Sequence, residues 1–180
     1  MIYVALLRGI NVGGKNKVEM ARLRQTFERL GLGEVRTYIN SGNVIFTAET
    51  AGDEITSLLE DAIERDFGLR HPVLVRDLEM IERVEKAIPE QWVSDSTMRT
   101  DVLFLWDEIN SPSIIDDLPV REGVDRVVYV DGAVIWQVDI ENINRSGRSR
   151  IVGGRIYKAA TVRNANTTRK LAAMMREAVG

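Results

Sequence analysis

Apolar and polar residues recur along this chain with two periods, and the switches between them outline its elements. In residues 2–8, Tyr3, Ala5 and Leu7 interleave with Ile2, Val4 and Leu6, so both alternations are apolar. That pattern predicts a strand covered on both faces. Val18, Met20, Ala21, Leu23, Phe27 and Leu30 then recur near the helical period and stop at Gly31, predicting a helix over 18–31. Asn16, with Glu19 three residues on, resembles a capping box for it. Strands are expected at 34–40, 43–48 and 72–76. Between the last two, a helix at 53–67 places Ile55, Leu58, Leu59, Ala62, Ile63 and Phe67 on one stripe. The order βαββαβ is that of a ferredoxin-like unit. A right-handed crossover in such a unit makes the strands at 2–8 and 34–40 parallel. Their C-terminal ends then share one edge of the sheet.

The second half echoes the first. A helix at Leu78–Ala87, capped by Asp77, ends before Pro89, and a looser connection covers 91–99. A strand at 101–106 and a helical turn near 113–118 come next. Strands at 125–130 and 133–138 flank Asp131-Gly132, a strong hairpin signal. Helical segments are expected at 150–159 and 167–179, the latter behind an Asn166 cap. The reading is an α+β fold of mainly antiparallel sheets with helices, built from two degenerate ferredoxin-like halves, 1–88 and 89–180. No residue-level repeat is visible.

Composition narrows the chemistry. Hydrophobic content of 44% and charged content of 28% fit a globular protein, and no apolar run reaches the roughly 20 residues of a membrane span. With no signal pattern at the N-terminus, a cytoplasmic location is expected. The absence of cysteine removes disulfides, thiolate catalysis and iron–sulfur ligation. The one histidine, His71, cannot build a multi-histidine metal site and reads as a loop residue entering a strand.

Charge is segregated. Residues 1–36 carry +4, residues 37–144 carry −15 and residues 145–180 carry +8, within a net charge of −3. Either the basic ends simply lie beside acidic surface, or they form a positive patch that focuses an anion. The sequence pI of 5.4 weighs against nonspecific duplex binding.

Two polar clusters stand out. Arg8-Gly9-Ile10-Asn11-Val12-Gly13-Gly14-Lys15-Asn16-Lys17 follows the first strand, and Asn40-Ser41-Gly42-Asn43 turns the hairpin at the same sheet edge. Gly9 through Lys15 match the phosphate-loop spacing G-x-x-x-x-G-K, but Asn16 stands where a Ser or Thr hydroxyl would hold magnesium. Val102–Glu108 imitates the apolar strand and acid that complete such sites, although an antiparallel sheet is the wrong frame. The second cluster is Thr161–Lys170, with Arg163, Asn164, Arg169 and Lys170. Lys15 and Lys17 oppose the macrodipole of the helix they precede, an effect that a bound anion would reverse. Tyr3 and Phe46 resemble the aromatic platform of RNA-recognition domains, but a strand apolar on both faces leaves no open platform. Phe104, Trp106, Tyr129 and Trp136 read as core, and Trp92 as the aromatic to find exposed. Adjacent carboxylates such as Asp107-Glu108 point apart and make a poor acid/base pair.

The segments Tyr3–Gly14, Thr37–Val44 and Thr161–Leu171 resemble a large, mostly bacterial family of uncharacterised proteins, catalogued as a domain of unknown function. The resemblance covers nearly the whole chain. It implies a cytoplasmic α+β protein with no established activity, cofactor or catalytic residue. It also implies a departure here, since relatives carry tryptophan where this chain has Ala165.

The residues themselves point to a binding protein for a phosphorylated or otherwise anionic small molecule. Arg8, Asn11, Lys15 and Lys17 would supply its grip, and Asn40, Ser41 and Asn43 its polar contacts. Arg163, Asn164 and Lys170 are candidates to complete it. Two other classes stay open. One is a phosphoryl- or nucleotidyl-transfer enzyme with magnesium on Asp107 or Glu108. The other is a module that binds a protein partner or RNA. No cofactor is implied and no membrane partner is expected.

Overall fold

Two central strands, each buried along nearly its whole length, organise the protein. In a computed structural model describing residues 1–11, 17–49 and 53–179, β1 (Ile2–Leu7) is buried throughout and β5 (Met98–Leu105) from Thr100 onward. The chain divides into two compact units, Met1–Leu78 with Leu171–Gly180, and Glu79–Lys170. Among the described residues no helix is long and apolar enough to cross a membrane.

Unit 1 runs β1, α1 (Met20–Arg29), β2 (Gly33–Tyr38), β3 (Asn43–Thr47), α2 (Asp53–Phe67) and β4 (Val73–Asp77). Its sheet has the order β2-β3-β1-β4 with every neighbouring pair antiparallel, the ferredoxin-like arrangement. Since β1 and β2 both oppose β3, they point the same way and end at the same edge. Tyr3, Ala5 and Leu7 pack with Phe46 of β3, Phe27 of α1 and Leu59 of α2. The Phe27 ring meets Phe46 edge-on at 5.6 Å, a favoured aromatic geometry. On the other face Ile2, Val4, Leu6 and Ile45 are buried too. Asp66 of α2 ties the two helices together. Its carboxylate accepts from Thr26 at 2.6 Å and from Arg29. The Thr26 bond leads the causes that hold it below its ordinary pKa.

Unit 2 repeats the order. It runs β5, β6 (Asp125–Val130), β7 (Ala133–Asp139), α4 (Arg155–Lys158) and β8 (Ala160–Asn164), in a sheet ordered β6-β7-β5-β8. Short 3-10 helices at Asp107–Ile109 and Pro112–Asp117 take the sequence place of α1. Others at Ile140–Arg145 and Gly147–Ile151, with α4, take that of α2. Each sheet is followed by a helix, α3 (Leu78–Ala87) after β4 and α5 (Ala165–Glu177) after β8. The repetition reaches single hydrogen bonds. Leu7 donates to the Gly42 carbonyl at 2.9 Å, as Leu105 does to Gly132 at 2.9 Å. Arg8 donates to Pro72 at 2.9 Å, as Trp106 does to Ala159 at 3.0 Å.

Several boundaries differ from the sequence pattern. The strand β8 was hidden because Thr161-Val162-Arg163 reads as part of a polar run, yet Arg163 is buried within it. The helix expected over 150–159 is a 3-10 turn and a single helical turn, separated at Gly153, whose φ is 81°. Helix α1 starts at Met20 with an extended Glu19 before it, so the capping box is not its start. Asn16 itself lies outside the described residues. The cap of α5 is Asn164, which accepts from the Thr167 amide at 2.7 Å. Asn166 instead exchanges hydrogen bonds with the backbone of Ser94. Trp92 is buried rather than exposed. Arg169 donates to the carbonyls of Trp92 at 2.9 Å and Pro89 at 3.0 Å, which secures that loop in unit 2.

Unit 2 is fastened by one buried carboxylate. Asp125 accepts from the Trp136 indole at 3.0 Å, the Ser146 hydroxyl, and the amides of Gly147 and Arg121, each at 2.9 Å. Burial works to raise its pKa, but these donors outweigh it and hold the group below the ordinary carboxylate range. The approach is so close that a Cβ on Gly147 would lie 1.5 Å from the Pro119 oxygen. Asp125→Ala leaves four donors unpaired, three of them buried, and we expect a loss of about 3–5 kcal/mol in urea unfolding. The stabilisation from Asp125 is full above the ordinary carboxylate pKa and is lost as pH falls through the lowered native value. Acid titration of the Asp125→Ala protein therefore shows a shallower loss below about pH 4 than wild type.

Candidate functional site

The loop after β1 and the turn between β2 and β3 meet through one asparagine. Asn11 sits in the left-handed region with φ 54°. Its amide nitrogen donates to the Asn40 carbonyl at 2.7 Å and the Val18 carbonyl at 3.0 Å, and its oxygen accepts from the Val18 amide at 2.9 Å. One side chain thus holds Val18, just before α1, and Asn40, in the hairpin turn, to the segment that follows β1. Gly42 completes the join. With φ 75°, it passes so close that a Cβ would lie 2.6 Å from Ile10 and 2.8 Å from Leu7.

This edge concentrates unusual backbone. Gly9, Asn11, Ile39 and Gly42 all have positive φ. Ile39 is the least expected, because a β-branched residue at φ 48° is strained, at roughly 1–3 kcal/mol. It is also exposed. No pattern of apolar residues signals this conformation.

The candidate residues divide by what they already hold. Asn11 is a brace. Asn43 is fully buried and donates to the Tyr38 carbonyl at 2.9 Å and the Ser41 hydroxyl at 3.1 Å, so it shapes the turn from inside. Arg8 is half-buried at the end of β1, Lys17 and Asn40 are exposed, and Ser41 is half-buried. These four stand on the edge that Asn11 organises. Lys15 lies outside the described residues. In unit 2, Arg163 is buried, donating to Thr161 Oγ1 at 3.0 Å and the Val162 carbonyl at 2.8 Å, and burial lowers its guanidinium to about 10. Asn164 caps α5, and Lys170 is exposed on it. Ala165, where relatives are expected to carry tryptophan, is fully buried.

His71 belongs to the unit 1 edge as well. It is buried, precedes the Pro72 carbonyl that accepts from Arg8, and hydrogen-bonds the Arg8 backbone. Burial holds its pKa below the usual value, against the smaller opposing effect of that bond.

The matching edge of unit 2 uses the same device with different chemistry. Asn110 accepts from the Gly132 amide at 2.9 Å and the Tyr129 hydroxyl at 3.0 Å, and donates to Asp131 at 2.9 Å. Its neighbours Asp107 and Glu108 open a 3-10 turn. Among the described residues no group of three or more acidic, histidine or cysteine side chains is placed to hold a metal ion.

Two tests follow from this geometry. Asn11→Ala removes three hydrogen bonds and puts alanine, which tolerates the left-handed region less well than asparagine, at φ 54°. It should cost about 1–3 kcal/mol by urea unfolding, with Asn11→Gly costing less because the backbone strain is relieved. His71 binds a proton near pH 6.5 in the unfolded chain but only at lower pH when folded. Stability therefore falls as pH drops below about 6.5 and levels once the native value is passed. Comparing urea midpoints of wild type and His71→Gln between pH 7.5 and 5.5 isolates the effect, since the variant should lack that slope.

A family model described as "Protein of unknown function (DUF1697)" matches residues 1–136. None of the curated proteins matches the chain. Among solved structures, the conserved bacterial protein SP0830 from Streptococcus pneumoniae superposes with a TM-score of 0.82 at 30% identity. The match covers 97% of this chain and 98% of that one.

Proposed function

Because the chain belongs to the DUF1697 family, whose function is unknown, its role has to come from its own residues, and we propose that it binds a phosphorylated or anionic small molecule at the unit 1 edge. The observation that carries this reading is the Asn11 bracket, which joins the glycine- and lysine-rich loop to the Asn40–Ser41 turn. The segment between the two ends so joined carries two adjacent glycines, Gly13 and Gly14, and two lysines, Lys15 and Lys17. With both ends of the loop held at the hairpin turn, Arg8 and Lys17 stand on one edge with Asn40 and Ser41, a set of cations and polar groups that an anion satisfies. The left-handed residues gathered there support the same reading, since strain that the surrounding structure must hold tends to collect at functional sites. Arg8, Lys15 and Lys17 supply the charge, with Asn40 and Ser41 as polar contacts; Asn11 and Asn43 act by holding these in place.

A thermal-shift panel of inorganic phosphate, sugar phosphates and nucleotides tests it on wild type and Lys15→Ala/Lys17→Ala. A ligand at 100 times its Kd adds about 2.7 kcal/mol, and each kcal/mol moves the midpoint by roughly 2–4 °C in a chain of this size. The expected result is a shift in wild type that the double variant loses while keeping its unliganded midpoint. Equal shifts in both proteins would remove the two lysines from the site.

A further inference from the structure

Unit 2 holds a second cationic feature on an independent scaffold. Residues 145–158 carry Arg145, Arg148, Arg150, Arg155 and Lys158 and no acid, within a chain whose net charge is −3. An open cleft of about 440 Å³ lies in this segment, walled by Pro119, Ile151 and Ile156 and rimmed by Arg150, Arg155 and Asp117. That volume suits a small ligand, for which sites run from roughly 300 to 1,000 Å³. The two guanidiniums are little used by the fold. Arg150 is exposed and has no hydrogen bond or ion pair among the described residues. Arg155 reaches Asp117 at 3.5 Å with both side chains mostly in water, a pairing worth little.

The floor beneath them is rigid. Buried Asp125 accepts from Ser146 and Gly147. The Ser146 hydroxyl in turn accepts from the Arg148 amide at 3.1 Å. The Arg148 guanidinium pairs with Asp101, itself buried in β5, and Ile151 packs into the unit 2 core. Ser146, Gly147, Arg148 and Ile151 are thus held, while the Arg150 guanidinium has no partner among the described residues.

The geometry points to a site for a phosphate monoester with a planar apolar body, of nucleoside-monophosphate size. The phosphate would lie between the guanidinium forks of Arg150 and Arg155, which suit paired phosphate oxygens. The planar part would lie on Ile151, Ile156 and Pro119, and Asp117 would accept from a hydroxyl or amino group. This site shares no residue with the unit 1 edge and stands or falls separately from it.

Backbone-amide NMR titrations with adenosine monophosphate, adenosine and inorganic phosphate test the assignment, with affinities taken by calorimetry. Adenosine monophosphate should give saturable shifts at the amides of residues 150–156 and bind more tightly than either fragment. Arg150→Ala and Arg155→Ala should each weaken it by about tenfold, the worth of one charge-assisted hydrogen bond. Both residues are exposed, so their thermal midpoints should match wild type. Lys15→Ala/Lys17→Ala should leave these shifts intact, which separates this site from the one in unit 1. The proposal is overturned by the absence of saturable shifts in 150–156 with all three probes, or by arginine variants that bind as wild type does. Equal affinity for phosphate and for the monophosphate would also overturn the assigned ligand class, by denying the apolar wall a role.

Discussion

Burial of the central strands on both faces constrains everything else in this protein. Once every position of Ile2–Leu7 and of Thr100–Leu105 is buried, neither central strand has a face to offer a polar ligand, because exposing it would return buried side chains to water. Polar chemistry is pushed to the ends of the strands and to the connections. This is why the aromatic pair Tyr3 and Phe46, which a nucleic-acid platform would display, is instead locked at 5.7 Å inside unit 1.

The strand ends then become the places where the two units resemble each other most and differ most. Both use an asparagine four or five residues beyond the central strand to hold the adjacent hairpin. The shared amide-to-glycine bonds of Leu7 and Leu105 show that the likeness lies in backbone geometry. What the edges present is opposite in sign: Arg8 and Lys17 in one, Asp107, Glu108 and Asp131 in the other. A shared frame with divergent edges lets one unit carry a basic edge and the other an acidic one without disturbing either core.

How much of this the sequence discloses depends on range. Periodicity is local, so β1, α2, α3 and the β6–β7 hairpin are legible from neighbouring residues alone. β8 is not, because Arg163 is polar in sequence and becomes a strand residue only when β5 pairs with it. The gathering of the Arg8 loop with the Asn40 turn was legible from the topology rule that sets β1 and β2 in one direction. The division of labour within that edge was not. Asn11 and Asn43 there, like Asn164 in unit 2, read as ligand contacts in sequence, since an asparagine that braces a turn has the same one-dimensional signature as one that grips a substrate. Only the three-dimensional partners distinguish them. Asp125 was equally invisible, because a lone acid opening a strand carries no sign that four donors converge on it.

The division of α5 has a consequence for how the molecule is made. The helix begins with residues of unit 2, but from Leu171 onward it belongs to unit 1, whose other members end at Leu78. Synthesis is directional, and domains tend to fold as they emerge. Here the first sheet leaves the ribosome long before the helix residues that complete its unit, and all of unit 2 is made in between. The full set of unit 1 residues is thus available only once the segment from Leu171 has been made, after the second sheet.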